Sequence, residues 1–248
     1  MIQEGLPMIL FVSMAKAKDY AQNGGGTKFK LRFEELTSHP CLVVHYSTVS
    51  PEFVARYRVR AIFIGGFGYG WDQFDIKASL GLNDVVHSAD IPILAACGGH
   101  QFLGFAFNKN LRRVKRLKDE PMRRLRPDEP DLNPGYHPGY FTETGCQHVQ
   151  IVRRDPMFKG LPRDIIVPEA HYCEVKRLPE EFLLLASNEN CKIQAMRHRE
   201  RPVYGTQFHA ENWQEPYLDG KWIIANFFLT AGKGQGAKGK GETANGQG

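Results

Sequence analysis

The feature that most constrains the fold is a set of four short segments, all before residue 97, that are apolar on consecutive positions. Strands buried on one face alternate apolar with polar residues, whereas parallel strands covered on both faces are apolar throughout. The segments are MILFVSM (8–14), CLVVHY (41–46), AIFIGG (61–66) and IPILAA (91–96). We therefore predict four buried parallel strands.

Helix-start signals lie between these strands. Ser50 is a capping residue and Pro51 suits the first helical position, so a helix is predicted from there to about residue 57. A second helix is predicted over 75–87. Strands that alternate with helices need right-handed crossovers, which place helices on both faces of a sheet. The predicted fold class is α/β, with an open, mostly parallel, doubly wound sheet flanked by helices.

The rest of the chain contains an irregular segment, a second group of strands and a tail. Residues 108–140 are rich in charge and proline and lack periodicity, which predicts a surface insertion. Further strands are predicted at 148–152, 164–168, 182–187, 192–196 and 202–208. A final helix over 220–230 would pack Trp222, Ile223, Ile224, Phe227 and Phe228. We predict one domain over 1–231 and a disordered tail rich in glycine and lysine over 232–248.

Composition argues against several classes of protein. No apolar run approaches the roughly 18 residues that cross a bilayer, and the run 6–12 lacks the flanks of a signal peptide. We therefore expect a cytoplasmic protein with no membrane partner. The 5 cysteines form no C-x-x-C pair, which predicts neither a disulfide framework nor a metal site.

The net charge of +5 is unevenly distributed. Basic residues are concentrated in the tail and in the stretch LRRVKRLKDEPMRRLR (111–126). A solvated surface is the favoured interpretation of that stretch, and a docking surface for a partner protein or an acidic ligand is the alternative. No nucleic-acid motif accompanies it, so we expect no nucleic-acid partner.

Cys97 ends the fourth predicted strand, and a helix candidate begins directly after it. Ligands of parallel α/β sheets bind beyond the carboxyl ends of the strands. A tight strand-to-helix turn would expose the thiol, and Gly98 and Gly99 would permit the backbone strain. The helix N-terminus would favour a thiolate and offer N–H groups to an oxyanion. On these residues alone, a nucleophile and a structural cysteine are equally open.

A thiol nucleophile needs a base, and the base needs a group that orients it. The stretch VYGTQFHAENW supplies both, because residues two apart in an extended chain point to the same face. His209 and Glu211 would then project together from one strand end. Combined with the turn at Cys97, this pair favours a catalytic triad of Cys97, His209 and Glu211.

Four motifs of the chain resemble the class I glutamine amidotransferase family and occur in the family's order. They are AACGGHQ (95–101), GTQFHAE (205–211), GGFG (65–68) and EAHY (169–172). The resemblance covers residues 7–229 and implies a flavodoxin-like fold. Within the family, the stretches 155–162 and 185–211 are most similar to the glutaminase subunits of GMP synthetases.

The resemblance implies that Cys97 attacks the side-chain amide of glutamine, with His209 as the base and Glu211 as its orienting group. Glutamate and ammonia would form without a cofactor or a metal. The residues expected to hold the oxyanion or the glutamine are Gly66, Phe67, Gly68, Gly98, Gln101 and His171. The chain departs from the family pattern at Ala95, Ala96, Ala210 and Tyr172-Cys173, and none of these changes removes a triad residue.

The favoured function is a glutaminase that supplies ammonia to a partner synthetase. The sequence has neither a Ser-Gly-Gly-x-Asp-Ser loop nor a Walker A motif for ATP chemistry, which is why a separate synthetase is expected. The alternative is a stand-alone γ-glutamyl hydrolase or peptidase with the same triad. A non-catalytic regulatory relative is a third hypothesis, which the intact triad argues against.

Overall fold

In the computed structural model, which describes residues 8–23 and 25–233, the predicted parallel strands form one half of a single sheet. The strands are β1 Met8–Ser13, β2 Cys41–His45, β3 Val59–Ile64, β4 Ile93–Ala96, β5 Glu143–Ile151, β6 Asp164–His171, β7 Phe182–Ser187, β8 Ala195–His198 and β9 Val203–Thr206. The helices are α1 Ala17–Asn23, α2 Thr27–Thr37, α3 Pro51–Arg56, α4 Leu80–Ser88, α5 Gly98–Asn108 and α6 Asp219–Lys233. No helix in these two ranges has the length and apolar character needed to span a membrane.

The strand order is β2-β1-β3-β4-β9-β8-β7-β5-β6. The first five strands of this order pair in parallel, and the prediction of an open α/β sheet is confirmed. The remaining strands pair in an antiparallel manner. Antiparallel neighbours can be joined by short connections without a crossover helix, as β8 and β9 are here. The order brings β9 beside β4 although the two strands are distant in the sequence.

The two faces of the sheet carry separate apolar cores. Successive side chains of a strand point to opposite faces, and β1 divides its residues accordingly. Leu10 and Val12 join the core under α4 and α5, while Ile9 and Phe11 join the core under α2 and α6. Helices therefore cover both faces of the parallel strands, as the continuous apolar runs predict.

Two predicted helices differ from the observed ones. α4 begins at Leu80 rather than near 75, and residues 76–79 form a turn in which the Asp75 carboxylate accepts the Ala78 N–H at 3.0 Å. In α6, Trp222 is 57% exposed, so the prediction that it packs into the core is wrong. α6 also continues through Lys233, and the rest of the predicted tail, 234–248, lies outside the described residues.

The segment between α5 and β5, residues 109–142, contains no helix or strand, but it is firmly anchored. Leu111, Leu117 and Met122 are buried, with at most 3% of their surface exposed. The Arg123 guanidinium donates two hydrogen bonds of 2.6 Å to the Glu129 carboxylate. The segment is therefore an integral part of the protein, although the sequence predicts only a surface insertion.

Candidate active site

The carboxyl ends of three parallel strands meet at one edge of the sheet. In β4, Ala95 lies opposite Ile64 of β3 and opposite Gly205 of β9. The residues that follow these strands, 65–68, Cys97 and 207–211, are consequently brought together. Ligands of open α/β sheets bind at this edge.

Cys97 has a backbone conformation that few non-glycine residues adopt. Its φ of 50° and ψ of −109° lie in a strained region, which costs on the order of 1–3 kcal/mol. Two backbone hydrogen bonds impose it: Cys97 N–H donates to the Thr206 carbonyl at 2.8 Å, and Cys97 C=O accepts from Gln101 N–H at 2.9 Å. The strand-to-helix turn is thus as predicted. The thiol is less open than expected, because Cys97 is only 6% exposed at the base of a cleft.

Two glycines let the backbone approach the thiol closely. A Cβ at Gly66 would lie 3.1 Å from Cys97 Cβ and 3.3 Å from His209 Cε1. A Cβ at Gly98 would lie 2.6 Å from the Phe67 ring and 3.2 Å from the Phe67 backbone nitrogen. The first N–H groups of a helix have no acceptor within the helix. The Gly98 N–H at the start of α5 therefore does not take part in the hydrogen bonds of the helix. The sites expected to supply the oxyanion donors are therefore adjacent to one another and to the thiol.

His209 and Glu211 lie beside Cys97 in a tight turn. β9 ends at Thr206, and Glu211 belongs to a single 3₁₀ turn, so the prediction that both side chains extend from a strand is wrong. The turn still joins them, with His209 Nδ1 at 2.7 Å from Glu211 Oε1. Arg32 Nη1 also donates to the Glu211 carbonyl at 2.7 Å, which fixes the turn against α2.

The charged groups around His209 favour the protonated form of its imidazole. Burial lowers the pKa of His209, but the Glu211 carboxylate and the Cys97 sulfur outweigh burial and hold that pKa well above its ordinary value. Because Nδ1 is bound to Glu211, the opposite nitrogen, Nε2, is the one available to the thiol. A cysteine next to a histidine that a buried carboxylate orients is the arrangement that activates thiols in hydrolases.

Gln101 lines the cleft, but its amide is already occupied by protein partners. Its Oε1 accepts the Trp71 indole N–H at 2.8 Å, and its Nε2 donates to the Cys173 carbonyl at 2.9 Å. The side chain therefore connects opposite walls of the cleft. Gly68 does not reach the site: it is exposed, and a Cβ added to it would meet no atom within 4 Å.

His171 lies at the centre of a buried charged cluster that the sequence did not predict. Its Nε2 is 3.0 Å from Glu143 Oε2 and 3.2 Å from Glu169 Oε2, and its Nδ1 donates to the Cys173 carbonyl at 2.9 Å. Burial lowers the pKa of His171, but the hydrogen bonds to Glu143 and Glu169 raise it to about 10. The two carboxylates therefore favour the protonated ring. Glu169 could have been found from its i, i+2 relation to His171, whereas Glu143 lies across the β5–β6 ladder.

The cleft above Cys97 includes further residues that sequence analysis missed. It is lined by Phe67, Tyr69, Trp71, Cys97, Gly98, Gln101, Asp119, Ala170, His171, Tyr172 and Cys173. Asp119 comes from the 109–142 segment, and no motif around it in the sequence indicates a functional residue. The predicted insertion therefore builds one wall of the candidate site.

Comparison with known families identifies the same motifs as a recognised domain. Residues 32–231 match the family model described as "Glutamine amidotransferase class-I". One component of the glutamine-hydrolyzing GMP synthase of Pyrococcus abyssi is 34% identical over 144 residues, 58% of this chain and 62% of that relative. The alignment thus spans less than two thirds of the relative. The component of the same name from Methanocaldococcus jannaschii is 27% identical over 190 residues, covering 77% of this chain and 84% of that protein.

Among solved structures, the chain is similar to a Thermoplasma acidophilum protein described as a component of GMP synthase. The TM-score is 0.69, with 93% of this chain and 96% of that chain covered. The sequence identity is 22%, so this similarity establishes the fold.

Proposed function

The chain belongs to the class I glutamine amidotransferase family, and on that premise we propose that it hydrolyses the side-chain amide of glutamine and delivers the ammonia to a partner synthetase. The observation that carries the proposal is the convergence of a strained Cys97 with the His209–Glu211 pair at the carboxyl edge of the sheet. This geometry supports a thiolate nucleophile, a proton carrier and an orienting carboxylate in those three roles.

The chemistry follows from these positions. The Cys97 thiolate bonds to the amide carbon of glutamine, and the His209 imidazolium donates its proton to the nitrogen as the C–N bond breaks. Ammonia leaves, and a γ-glutamyl thioester remains on Cys97. His209 then removes a proton from water, whose oxygen attacks the thioester and releases glutamate and the thiolate. Glu211 holds the ring in the tautomer that this sequence requires.

The negative charge that develops on the amide oxygen needs donors next to Cys97. We assign this role to the backbone N–H groups of Phe67, or of Gly66, and of Gly98, which lie in the loop and helix start packed around the thiol. One such donor is worth roughly 2.7–4 kcal/mol of transition-state stabilisation in comparable sites. The absence of side chains at Gly66 and Gly98 is what lets the backbone reach this position.

Gln101 and His171 shape the cleft in this proposal rather than bind glutamine through their polar tips. The Gln101 amide and both ring nitrogens of His171 are engaged by protein groups. Contacts from this region to the substrate would therefore come from backbone groups of β6 and from the aromatic walls of Phe67 and Tyr172.

A synthetase partner would dock next to the cleft. The similar relatives are named as components of GMP synthase, which supports a partner of that kind. In the basic stretch 111–126, Arg113, Lys115 and Lys118 are exposed, and Lys118 directly precedes the cleft residue Asp119. This surface is therefore our candidate docking face, because ammonia must pass between the proteins close to the cleft.

The proposal is tested by measuring ammonia release from glutamine with the full chain, alone and with the synthetase component of a GMP synthase. Cys97→Ala should reduce release to background. Cys146→Ala is the matched control, since Cys146 is only partly buried and lies outside the cleft, and it should behave as wild type.

The outcomes separate the competing hypotheses. Release from glutamine that rises with the synthetase supports delivery to a partner. Release from γ-glutamyl peptides or amines, but not from glutamine, would replace the proposal with the stand-alone hydrolase. Wild-type activity in Cys97→Ala would remove the mechanism altogether.

A further inference from the structure

A second group of cysteine, histidine and carboxylate side chains contributes two residues, Asp119 and Cys173, to the same cleft. Asp119, His137 and Cys173, here called the convergent group, come from the 109–142 segment and from the chain after β6. One ligand-type atom from each residue lies within 4.8 Å of the others. His137 Nε2 is 3.1 Å from Asp119 Oδ2 and 3.9 Å from Cys173 Sγ.

The geometry of this group is not that of a proton relay. A relay uses the two opposite nitrogens of an imidazole, one facing the nucleophile and one facing the carboxylate. In the convergent group a single nitrogen, Nε2 of His137, faces both the sulfur and the carboxylate. The three donor atoms lie within 4.8 Å of one another, which is close enough for them to share one metal ion.

The distances approach those of a coordinated ion. Zinc binds sulfur at about 2.3 Å and nitrogen or oxygen at about 2.0–2.2 Å in tetrahedral sites, so its ligand atoms lie about 3.2–3.7 Å apart. The 3.1 Å and 3.9 Å separations fall just outside this range on either side. Side-chain adjustments of a few tenths of an ångström would bring these two separations into that range, and the third pair, Asp119 and Cys173, lies within 4.8 Å.

The ligands are also held by a second layer of hydrogen bonds. The Trp71 N–H donates to Asp119 Oδ1 at 2.8 Å, and the Tyr136 hydroxyl donates to Oδ2 at 2.5 Å. The Cys173 backbone is fixed by bonds from Gln101 and His171 and by a bridge to Pro121. Outer partners of this kind orient metal ligands and tune their affinity.

We propose that Asp119, His137 and Cys173 form a binding site for a divalent transition-metal ion of the zinc class, with its fourth position open to the cleft. Thiolate, imidazole and carboxylate together suit zinc rather than magnesium or calcium, which prefer oxygen ligands alone. Coordination replaces the proton on the Cys173 sulfur with the metal, and the proton leaves to solvent. Three protein ligands plus one open position is the stoichiometry of catalytic zinc sites, whereas structural zinc sites have four protein ligands.

A metal at this position would regulate access to Cys97. Asp119 and Cys173 line the same cleft as Cys97, so an ion between them narrows the path to the thiol. We expect zinc to lower the rate of glutamine hydrolysis, a consequence that rests on the proposed function. The binding itself does not depend on that function and can be measured without turnover.

The test uses cobalt(II) as a spectroscopic probe in the full-length Cys97→Ala variant, which removes the other thiol of the cleft. We expect one equivalent of cobalt to bind, with a near-ultraviolet thiolate-to-cobalt charge-transfer band that zinc displaces. Cys97→Ala/Cys173→Ala should lose the band. Cys97→Ala/His137→Ala should bind cobalt more weakly by at least the roughly 10–100-fold that loss of an outer-shell partner costs. His137 is partly exposed, which makes this variant the safer one for folding.

The matched control is Cys97→Ala/Cys146→Ala, which should keep the band, and far-ultraviolet circular dichroism checks that each variant is folded. Retention of the band in the folded Cys97→Ala/Cys173→Ala variant, or an unchanged cobalt affinity in the folded Cys97→Ala/His137→Ala variant, would overturn the site. Absence of stoichiometric cobalt binding in Cys97→Ala would overturn it as well. Because the binding measurement needs no turnover, neither result depends on whether the chain hydrolyses glutamine.

Discussion

Two groups that each contain a thiol, an imidazole and a carboxylate contribute residues to the cleft, and their geometries differ. In the relay group, Cys97, His209 and Glu211, the carboxylate binds Nδ1 of the imidazole at 2.7 Å and leaves Nε2 for the thiol. In the convergent group, the sulfur and the carboxylate both face Nε2 of His137. The first arrangement can pass a proton from the sulfur to a leaving group, whereas the second places three donor atoms within 4.8 Å of one another.

The two groups also differ in the charges and hydrogen bonds that surround them. Glu211 is buried, and its charge helps to hold the pKa of His209 above the ordinary value. Asp119 instead receives hydrogen bonds from Trp71, Tyr136 and His137. Burial, followed by the Asp119 charge, raises the pKa of the Cys173 thiol, so this sulfur becomes a ligand only when a bound metal replaces its proton. The same residue types therefore give a nucleophile in one place and ligands in the other.

The largest expected effect compares the two histidines. His209→Ala should lower the rate of glutamine hydrolysis on the order of 10⁴-fold or more, because the thiol loses its base and the leaving nitrogen loses its proton donor. His137→Ala should leave the metal-free rate near that of wild type. Steady-state ammonia release in the presence of a chelator measures both, and a similar loss in the two variants would show that the groups are not distinct.

A smaller effect is expected at the backbone N–H groups next to Cys97, to which we assign the binding of the oxyanion. Gly98→Ala should lower kcat by about 10²–10³-fold with little change in KM, because the new methyl group pushes the Phe67 loop from the oxyanion position. Gly68→Ala is the control and should be neutral, since a Cβ there meets open space. Equal kcat values for the two variants would contradict the assignment of the donors.

The smallest effect concerns the buried His171 cluster, which lies beneath both groups. The pKa of His171 is about 10 in the folded protein and near 6.5 ordinarily, so the folded state holds its proton more tightly. The stabilisation is complete below about pH 6.5 and is lost as the pH rises through 10. Glu143→Gln should lower the free energy of unfolding at pH 7 by up to about 3 kcal/mol, with Glu169 remaining as a partner.

Urea unfolding at several pH values measures this effect. Glu143→Gln should show a weaker fall in stability between pH 6.5 and 10 than wild type. Asp84→Asn, which breaks the exposed pair with Arg112, should cost only about 0.2–1 kcal/mol at any of these pH values. An unchanged pH dependence in Glu143→Gln would mean that His171 is not held as a cation by this carboxylate.

Local sequence signals were sufficient for four of the five parallel strands and for the relay group. Continuous apolar runs identify buried strands, and His209 and Glu211 are close enough in the sequence for a short turn to join them. Their pairing survived although the predicted strand geometry was wrong, because a 3₁₀ turn also brings residues two apart within reach. Cys97 joined them because strand order places β4 beside β9.

The convergent group and the buried cluster had no such signal. Asp119 and His137 are 18 positions apart in a segment without periodicity. Cys173 lies outside that segment, 36 positions after His137. Glu143 meets His171 only through the register of β5 with β6. Such contacts depend on strand pairing and on the path of an irregular chain, which residue patterns alone do not determine.

The most direct test of the account is to map the covalent intermediate. The full chain is mixed with glutamine, quenched in acid within one turnover, and digested for mass spectrometry. We predict a γ-glutamyl thioester on the peptide that contains Cys97, present in wild type and absent in Cys97→Ala. A γ-glutamyl adduct on Cys173, or hydrolysis of glutamine that continues in Cys97→Ala, would contradict the distinction between the two groups.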